Sequence, residues 1–257
     1  MKAGGFDVTG QKNMNATDHG LGRRVLPEGD DLHLQRYSLA PVTASFTAER
    51  ILSLPYYRRQ YNQGNTNGCV GFSSSWAMSI LNRERYFPPW LWDRAKELDS
   101  WSDTNPGDNN GTSVRAGMDA LRTLGHREIF GSTIKPADLN DGILRNEWAT
   151  NVDQIRQCIS GGTPVVLGIE WFQSFSQPEQ RGYEFWIGKD VPNDKIVGGH
   201  AICAYGVSDK RQAIKLVNSW GTGYPLVWIG YDVLQKLLNG VQRGRGEATV
   251  IVDRPER

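Results

Sequence analysis

The sequence predicts an α+β fold of two lobes, the first helical and the second built of strands. A stripe of apolar side chains at helical spacing dominates the first half, at Phe72, Trp76 and Ile80 with Ala77 and Leu81 beside them. The second half instead carries five short β-rich runs, PVVLGI, GGHAICAYGV, AIKLVNSW, LVWIGYDVL and ATVIVD, parted by Gly, Asp and Lys turns. A helical segment followed by a strand-rich one implies two packed lobes, and binding sites commonly form in the crevice between such lobes.

In chain order, residues 1 to about 44 form an extension with four glycines in its first twenty positions and few large apolar side chains. It is expected to cover the cleft, to pack on the β lobe, or to tether a partner. The run PYYRRQYNQGNTNGCV ends in a Gly/Asn cluster that requires a loop, and a helix is expected over 69–85 directly after it. Further helices are expected over 89–98 and 113–124, the latter capped by Thr112 or Ser113 and ended by Gly125, and over 152–159. The five β-rich runs are expected to form a barrel or a strongly twisted sheet. The domain is expected to span 45–252, with the helical lobe at about 69–150, the β lobe at about 151–252 and a short tail at 253–257.

Composition narrows the function classes. Twenty-nine basic residues nearly cancel twenty-eight acidic ones, which leaves no global field for nucleic acid or an anionic membrane. The first twenty residues hold no apolar signal core, and no run of about 18 apolar residues occurs, so a cytoplasmic protein is expected. Three scattered cysteines, at 69, 158 and 203, do not make a disulfide framework, and the reduced state is expected.

The chemistry lies in four residues. Cys69 falls in the expected first turn of a helix, where unpaired N–H groups and the macrodipole stabilise an anion; together with an imidazolium they lower a thiol's pKa enough to make a nucleophile. Gln63 stands six residues before it, near enough through a turn to offer amide donors to an oxyanion. His200 follows two glycines at the start of a strand-like run, and Asn218, before Ser219 and Trp220, could fix the imidazole while the indole excludes water. His19, His33 and His126 are read as structural or exposed. Cys203, three residues after His200, points to the other strand face, so zinc is not expected.

These segments resemble the papain and cathepsin family of cysteine peptidases. QGNTNGCVGFS is similar to the family's Gln-to-Cys segment, GGHAICAYG to its histidine strand and LVNSWGTGY to its Asn-Ser-Trp-Gly motif, in the family's order. DNNGTSVRAGMDALRTLG and GGTPVVLGI are similar to the cleft wall with its helix and to the first β-lobe strand. The resemblance implies a papain-like fold with a helical lobe, a β-barrel lobe and the cleft between them. It also implies peptide hydrolysis through an acyl-enzyme on Cys69, with His200 as base, Asn218 as its orienting group and Gln63 at the oxyanion. Gly111, Thr112, Gly198, Gly199 and Trp220 are expected to line the substrate cleft. The expected partner is a peptide or protein, with no cofactor.

The sequence also departs from the family. Thr66, and Asn109 or Asn110, stand where secreted members carry a disulfide, and Val70 and Gly71 replace the aromatic residue and alanine after the nucleophile. A catalytically silent peptide-binding module and an acyl transferase using the same Cys-His pair remain open alternatives, as does a cell-wall peptidase of another Cys-His class, against which the Asn-Ser-Trp-Gly run argues.

Overall fold

The computed structural model describes residues 19–25, 38–55, 60–189, 191, 193–241 and 244–253; His33 and the rest of the extension lie outside them. A short strand β1 (Glu49–Ile51) leads to helix α1 (Cys69–Asn82), which is followed by α2 (Pro88–Leu98) and α3 (Val114–Leu124). The three helices pack on one another, and small residues set how closely. A Cβ on Gly71 would lie 2.8 Å from the Trp92 backbone nitrogen and one on Gly117 2.8 Å from a Val70 methyl. Val70 and Gly71 are therefore helix-packing residues. Ser113 caps α3 by accepting from the Ala116 N–H at 3.1 Å, and Gly125 ends it at φ +76°, where any side chain would run into Asp138 O.

A hairpin of β2 (His126–Phe130) and β3 (Thr133–Asp138) follows, then β4 (Ile143–Trp148) and α4 (Val152–Gly161). The first half thus ends in strands as well as helices; all six β3 side chains are exposed, so the segment lacks the alternation that marks a strand. The remaining strands are β5 (Val165–Phe172), β6 (Glu179–Arg181), β7 (Glu184–Ile187), β8 (Ile196–Ser208), β9 (Ala213–Val217) and β10 (Val227–Gly230), with α5 (Tyr231–Asn239) before β11 (Glu247–Asp253). Nine strands share one sheet, ordered β4-β11-β5-β8-β9-β10-β7-β6 with β1 added to β8. The run LVWIGYDVL is not one strand: Gly230 ends β10, and Leu234, Leu237 and Leu238 bury one face of α5.

The sheet's central strand, β8, pairs with β5 on one side and β9 on the other, and α1 lies across it. Its core residues Ala201 to Ala204 are fully buried, as are Val165, Val166, Leu167 and Ile169 of β5. The α+β class read from the sequence is the class observed.

Candidate active site

Cys69 is the first residue of α1, and its N-cap is Gly68, which has no side chain to occupy the helix's free N–H groups. The backbone groups of Ala201, Gly22 and Val70 face the thiol and favour its anion, as does the Arg23 charge. Full burial acts more strongly in the opposite direction and raises the Cys69 pKa. The cysteines at 69, 158 and 203 are all free thiols.

His200 is the fifth residue of β8, opposite Ile169 of β5. It does not stand at the strand's start, because pairing begins four residues earlier, with Ile196 opposite Phe172. Its Nε2 lies 2.8 Å from Asn218 Oδ1. An amide oxygen only accepts, so Nε2 carries the proton and Nδ1 is a bare lone pair. That Nδ1 is buried and has no hydrogen-bond partner. Burial, with the nearby His19, pulls the His200 pKa down to about 4 against the hydrogen bond the ring donates to Asn218, so the ring is neutral at pH 7.

Asn218 follows the last residue of β9, and its Oδ1 also takes the Ser219 N–H at 2.7 Å, which fixes the amide's orientation. Around the pair stand Trp171, with its ring centroid 4.6 Å from the imidazole, Trp220 at 5.2 Å, and Tyr224 packed edge-on to Trp220. These rings shut water away from the imidazole–amide bond and lower the local dielectric around it.

Gln63 is held by its own backbone, with its N–H bonded to Ser219 O at 2.8 Å. Its Nε2 donates to Thr66 O at 2.8 Å and to Gly20 O at 3.0 Å. One amide donor therefore already holds a carbonyl, supplied by the chain's own N-terminal extension.

That extension fills the space between the two walls. Gly22 bridges Gly199 and Arg23 bridges Thr112, both in parallel sense. Arg23 N donates to Gly199 O at 3.1 Å, Arg24 N to Thr112 O at 2.9 Å, and Thr112 N to Gly22 O at 2.9 Å. Leu21 lies against Gly198, and His19 stacks on Trp220 with centroids 4.5 Å apart. All five expected cleft residues thus meet one segment, 19–24, that the sequence did not single out. The approach is too close for side chains: a Cβ on Gly111 would lie 1.8 Å from Gly22 O, and one on Gly22 1.8 Å from Asn67 O. The HGLG run of alternating glycines was the available signal. His19, read as structural or exposed, belongs to this site.

Where secreted members of the resembled family carry a disulfide, Asn67 bridges to Asn109 instead, its N–H to Oδ1 at 2.9 Å and its Nδ2 to the backbone carbonyl at 2.6 Å. Thr66 turns its hydroxyl back to Gln63 O at 2.7 Å. Cys203 is buried in the core, and His126 is buried as a structural group, bonded to Ser75 at 2.8 Å. Among the described residues, no cluster of His, Cys, Asp and Glu is arranged to hold a metal ion, and no helix is long and apolar enough to cross a membrane.

No family model matches the chain. It is 20% identical over 209 residues to an uncharacterized peptidase C1-like protein of Acanthamoeba polyphaga mimivirus, a match covering 70% of this chain. The chain spans 66% of that relative's length. Among solved structures it is similar to xylellain, a cysteine protease from Xylella fastidiosa, with a TM-score of 0.70, 17% identity and coverage of 94% of this chain and 98% of that one. It is also similar to a procathepsin B from Trypanosoma congolense, with a TM-score of 0.60, 9% identity and coverage of 92% and 87%. A digestive procathepsin L2 from Tenebrio molitor gives a TM-score of 0.54, 15% identity and coverage of 93% and 79%. The fold is that of the papain-like cysteine proteases, as the sequence motifs implied.

Proposed function

We propose that the chain is a latent cysteine endopeptidase whose extension occupies its own substrate cleft. The observation that carries this reading is the pairing at His200: Nε2 meets the acceptor oxygen of Asn218 and Nδ1 meets no partner, so the proton sits on Nε2 and Nδ1 is in the state a general base must have. In the open enzyme the Cys69 thiol proton passes to Nδ1, and the thiolate, at the head of α1, attacks a peptide carbonyl. The oxygen that becomes negative is held by the Gln63 Nε2–H that now holds Gly20 O. His200 then returns the proton to the leaving amine, and water releases the acyl group from sulfur. Asn218 keeps the ring in the working tautomer throughout.

The closed state explains why the pair is neutral. With the extension in place, burial raises the thiol and lowers the imidazole, which is the opposite of what an ion pair requires. Displacing residues 19–24 hydrates both groups and lets the helix terminus stabilise the thiolate. The three free thiols and the Asn67–Asn109 bridge support work in a reducing compartment such as the cytoplasm.

The test is cleavage of a quenched peptide library by the full chain and by Gly22→Val, whose side chain cannot fit against Asn67 O. Turnover is expected to be low in the parent, to rise at least about tenfold in Gly22→Val and to vanish when Cys69→Ala is added. Equal turnover by parent and Gly22→Val would remove the latency. A library left intact by both, with the peptides still bound, would favour a silent binding module.

A further inference from the structure

The wall that faces the extension on the helical side ends a loop with little to hold it together. Residues 99–112, DSWSDTNPGDNNGT, contain one large apolar side chain, Trp101, so the loop cannot bury a core of its own and its course must be fixed from outside. Helix α2 fixes it. Trp92 and Lys96 of that helix and Asp99 at its C-cap are spaced by four and three residues, which puts them on one face. Trp92 Nε1 donates to Asn110 O at 3.1 Å, Lys96 Nζ donates to Asp108 O at 2.6 Å, and Asp99 Oδ2 accepts from Thr112 Oγ1 at 2.7 Å. Alternate residues of the wall, 108, 110 and 112, are thus tied to α2, in the two-residue period of an extended chain. Because Thr112 is held through its side chain, its backbone N–H and C=O are left for the cleft, where they meet Gly22 O and Arg24 N.

Lys96 is the member of this row that carries a charge into the interior. Its side chain is 0% exposed, whereas the other basic side chain of α2, Arg94, pairs with Glu97 at the surface. The ammonium also lies 3.0 Å from Asp93 Oδ1 and 4.0 Å from the centroid of the Trp92 ring, and Asp93 Oδ1 in turn accepts the Gly107 N–H at 3.0 Å. A buried ammonium persists only where its charge is met, and here a carboxylate, a ring face and a loop carbonyl meet it. Removing the charge frees Asp108 O and unpairs Asp93, so the backbone that runs on to Thr112 loses its fixed course.

Resting on the peptidase reading above, we infer that Lys96 is a positioning residue: by holding Asp108 O it fixes the backbone of Thr112 along the line where a peptide backbone binds. The extension uses that line in the closed state, and a substrate uses it once the extension has left. A wall already ordered spares the incoming peptide the entropy of ordering it, so the contribution falls on binding and not on the chemical step.

The experiment replaces Lys96 by methionine, Lys96→Met, which removes the charge and keeps an unbranched side chain. In Gly22→Val, KM for the library peptide cleaved fastest is expected to rise at least about fivefold with kcat within about twofold. In the otherwise unaltered full chain, brief exposure to iodoacetamide is expected to label Cys69 at least about threefold faster in Lys96→Met, because the loosened wall releases the extension, while Cys158 and Cys203 keep their rates. General loosening of the fold would instead quicken all three thiols. An unchanged KM, a loss carried by kcat, an unchanged Cys69 rate, or labelling that quickens alike at all three cysteines overturns the inference. Trp92→Phe, which removes the donor to Asn110 O, serves if Lys96→Met loses its cooperative melting transition, and the same rise in KM alone is expected of it. If Gly22→Val cleaves no peptide, the peptidase reading fails by itself and labelling decides: faster labelling confined to Cys69 keeps Lys96 as the residue that holds the wall, and an unchanged rate overturns that too.

Discussion

Two histidines in this protein share burial but not chemistry. His126 and His200 are both fully buried in strands, both packed on aromatic rings, and both held neutral, with pKa values lowered by burial to about 3 and about 4. At His126 both ring nitrogens are used. Nδ1 accepts the Arg127 N–H at 2.9 Å, so Nε2 carries the proton and donates to Ser75 Oγ, which in turn donates to Gly71 O at 2.8 Å. At His200 one nitrogen donates to Asn218 and the other is left bare. A satisfied imidazole is a structural part; a buried imidazole with an unused lone pair beside a cleft retains a capacity to accept a proton.

The largest expected effect that could break this contrast is on rate. His200→Gln should lower kcat of the opened enzyme by a factor on the order of 10³ or more, with the thermal midpoint shifted only a few degrees. Substantial activity in that variant would deny the ring its role.

Next is a pH effect shared by both rings. Each folded-state pKa lies below the ordinary value of about 6.5, so the unfolded chain binds more protons between about pH 6.5 and 4. Stability is therefore fully present above about 6.5 and is lost as pH falls through that window, by an amount on the order of a few kcal/mol. Calorimetry of the parent between pH 7 and 4.5 should show a falling midpoint, and a flat profile would mean that the rings are not dry.

Smaller still is the cost of His126→Phe, which strands the Ser75 and Arg127 polar groups. About 2–3 kcal/mol should be lost, a drop of roughly 4–12 °C in the midpoint, while kcat of the folded fraction stays within about threefold. A rate loss matching that of His200→Gln would erase the distinction. The mildest change is Asn218→Ala, expected to reduce kcat by about 10- to 100-fold because it frees the ring's tautomer and orientation while leaving the base present. An effect below about twofold would mean that Trp171 and Trp220 alone hold the ring.

Much of the candidate site could be proposed from the sequence, for reasons that differ between residues. Cys69 and Gln63 lie on one short loop-to-helix segment, so spacing alone relates them. Asn218 sits beside a tryptophan that marks a buried turn. Covering of the cleft was one of three roles expected of the extension, but the residues that do it were hidden, because their fit depends on pairs far apart in sequence, such as Gly22 on Gly111 and Arg23 on Glu247, and no local period signals either. Glycines that read as looseness in a linear scan are here the condition for close contact. In the fold, α5 was obscured by an aromatic and β-branched run that continues past Gly230, although Leu234, Leu237 and Leu238 carry helical spacing. The β2–β3 hairpin was obscured because its second strand buries nothing.

The central claim is that His200 serves the Cys69 thiol, and the most direct measurement is intact-protein mass spectrometry after brief exposure to a near-stoichiometric thiol probe. The label would be mapped in Gly22→Val with and without His200→Gln, across pH 5 to 8. The account expects Cys69 alone to be labelled, with labelling persisting at pH 5 while His200 is present and moving to alkaline pH in its absence. Labelling that follows the same pH curve in both variants, or that spreads equally to Cys158 and Cys203, would contradict it.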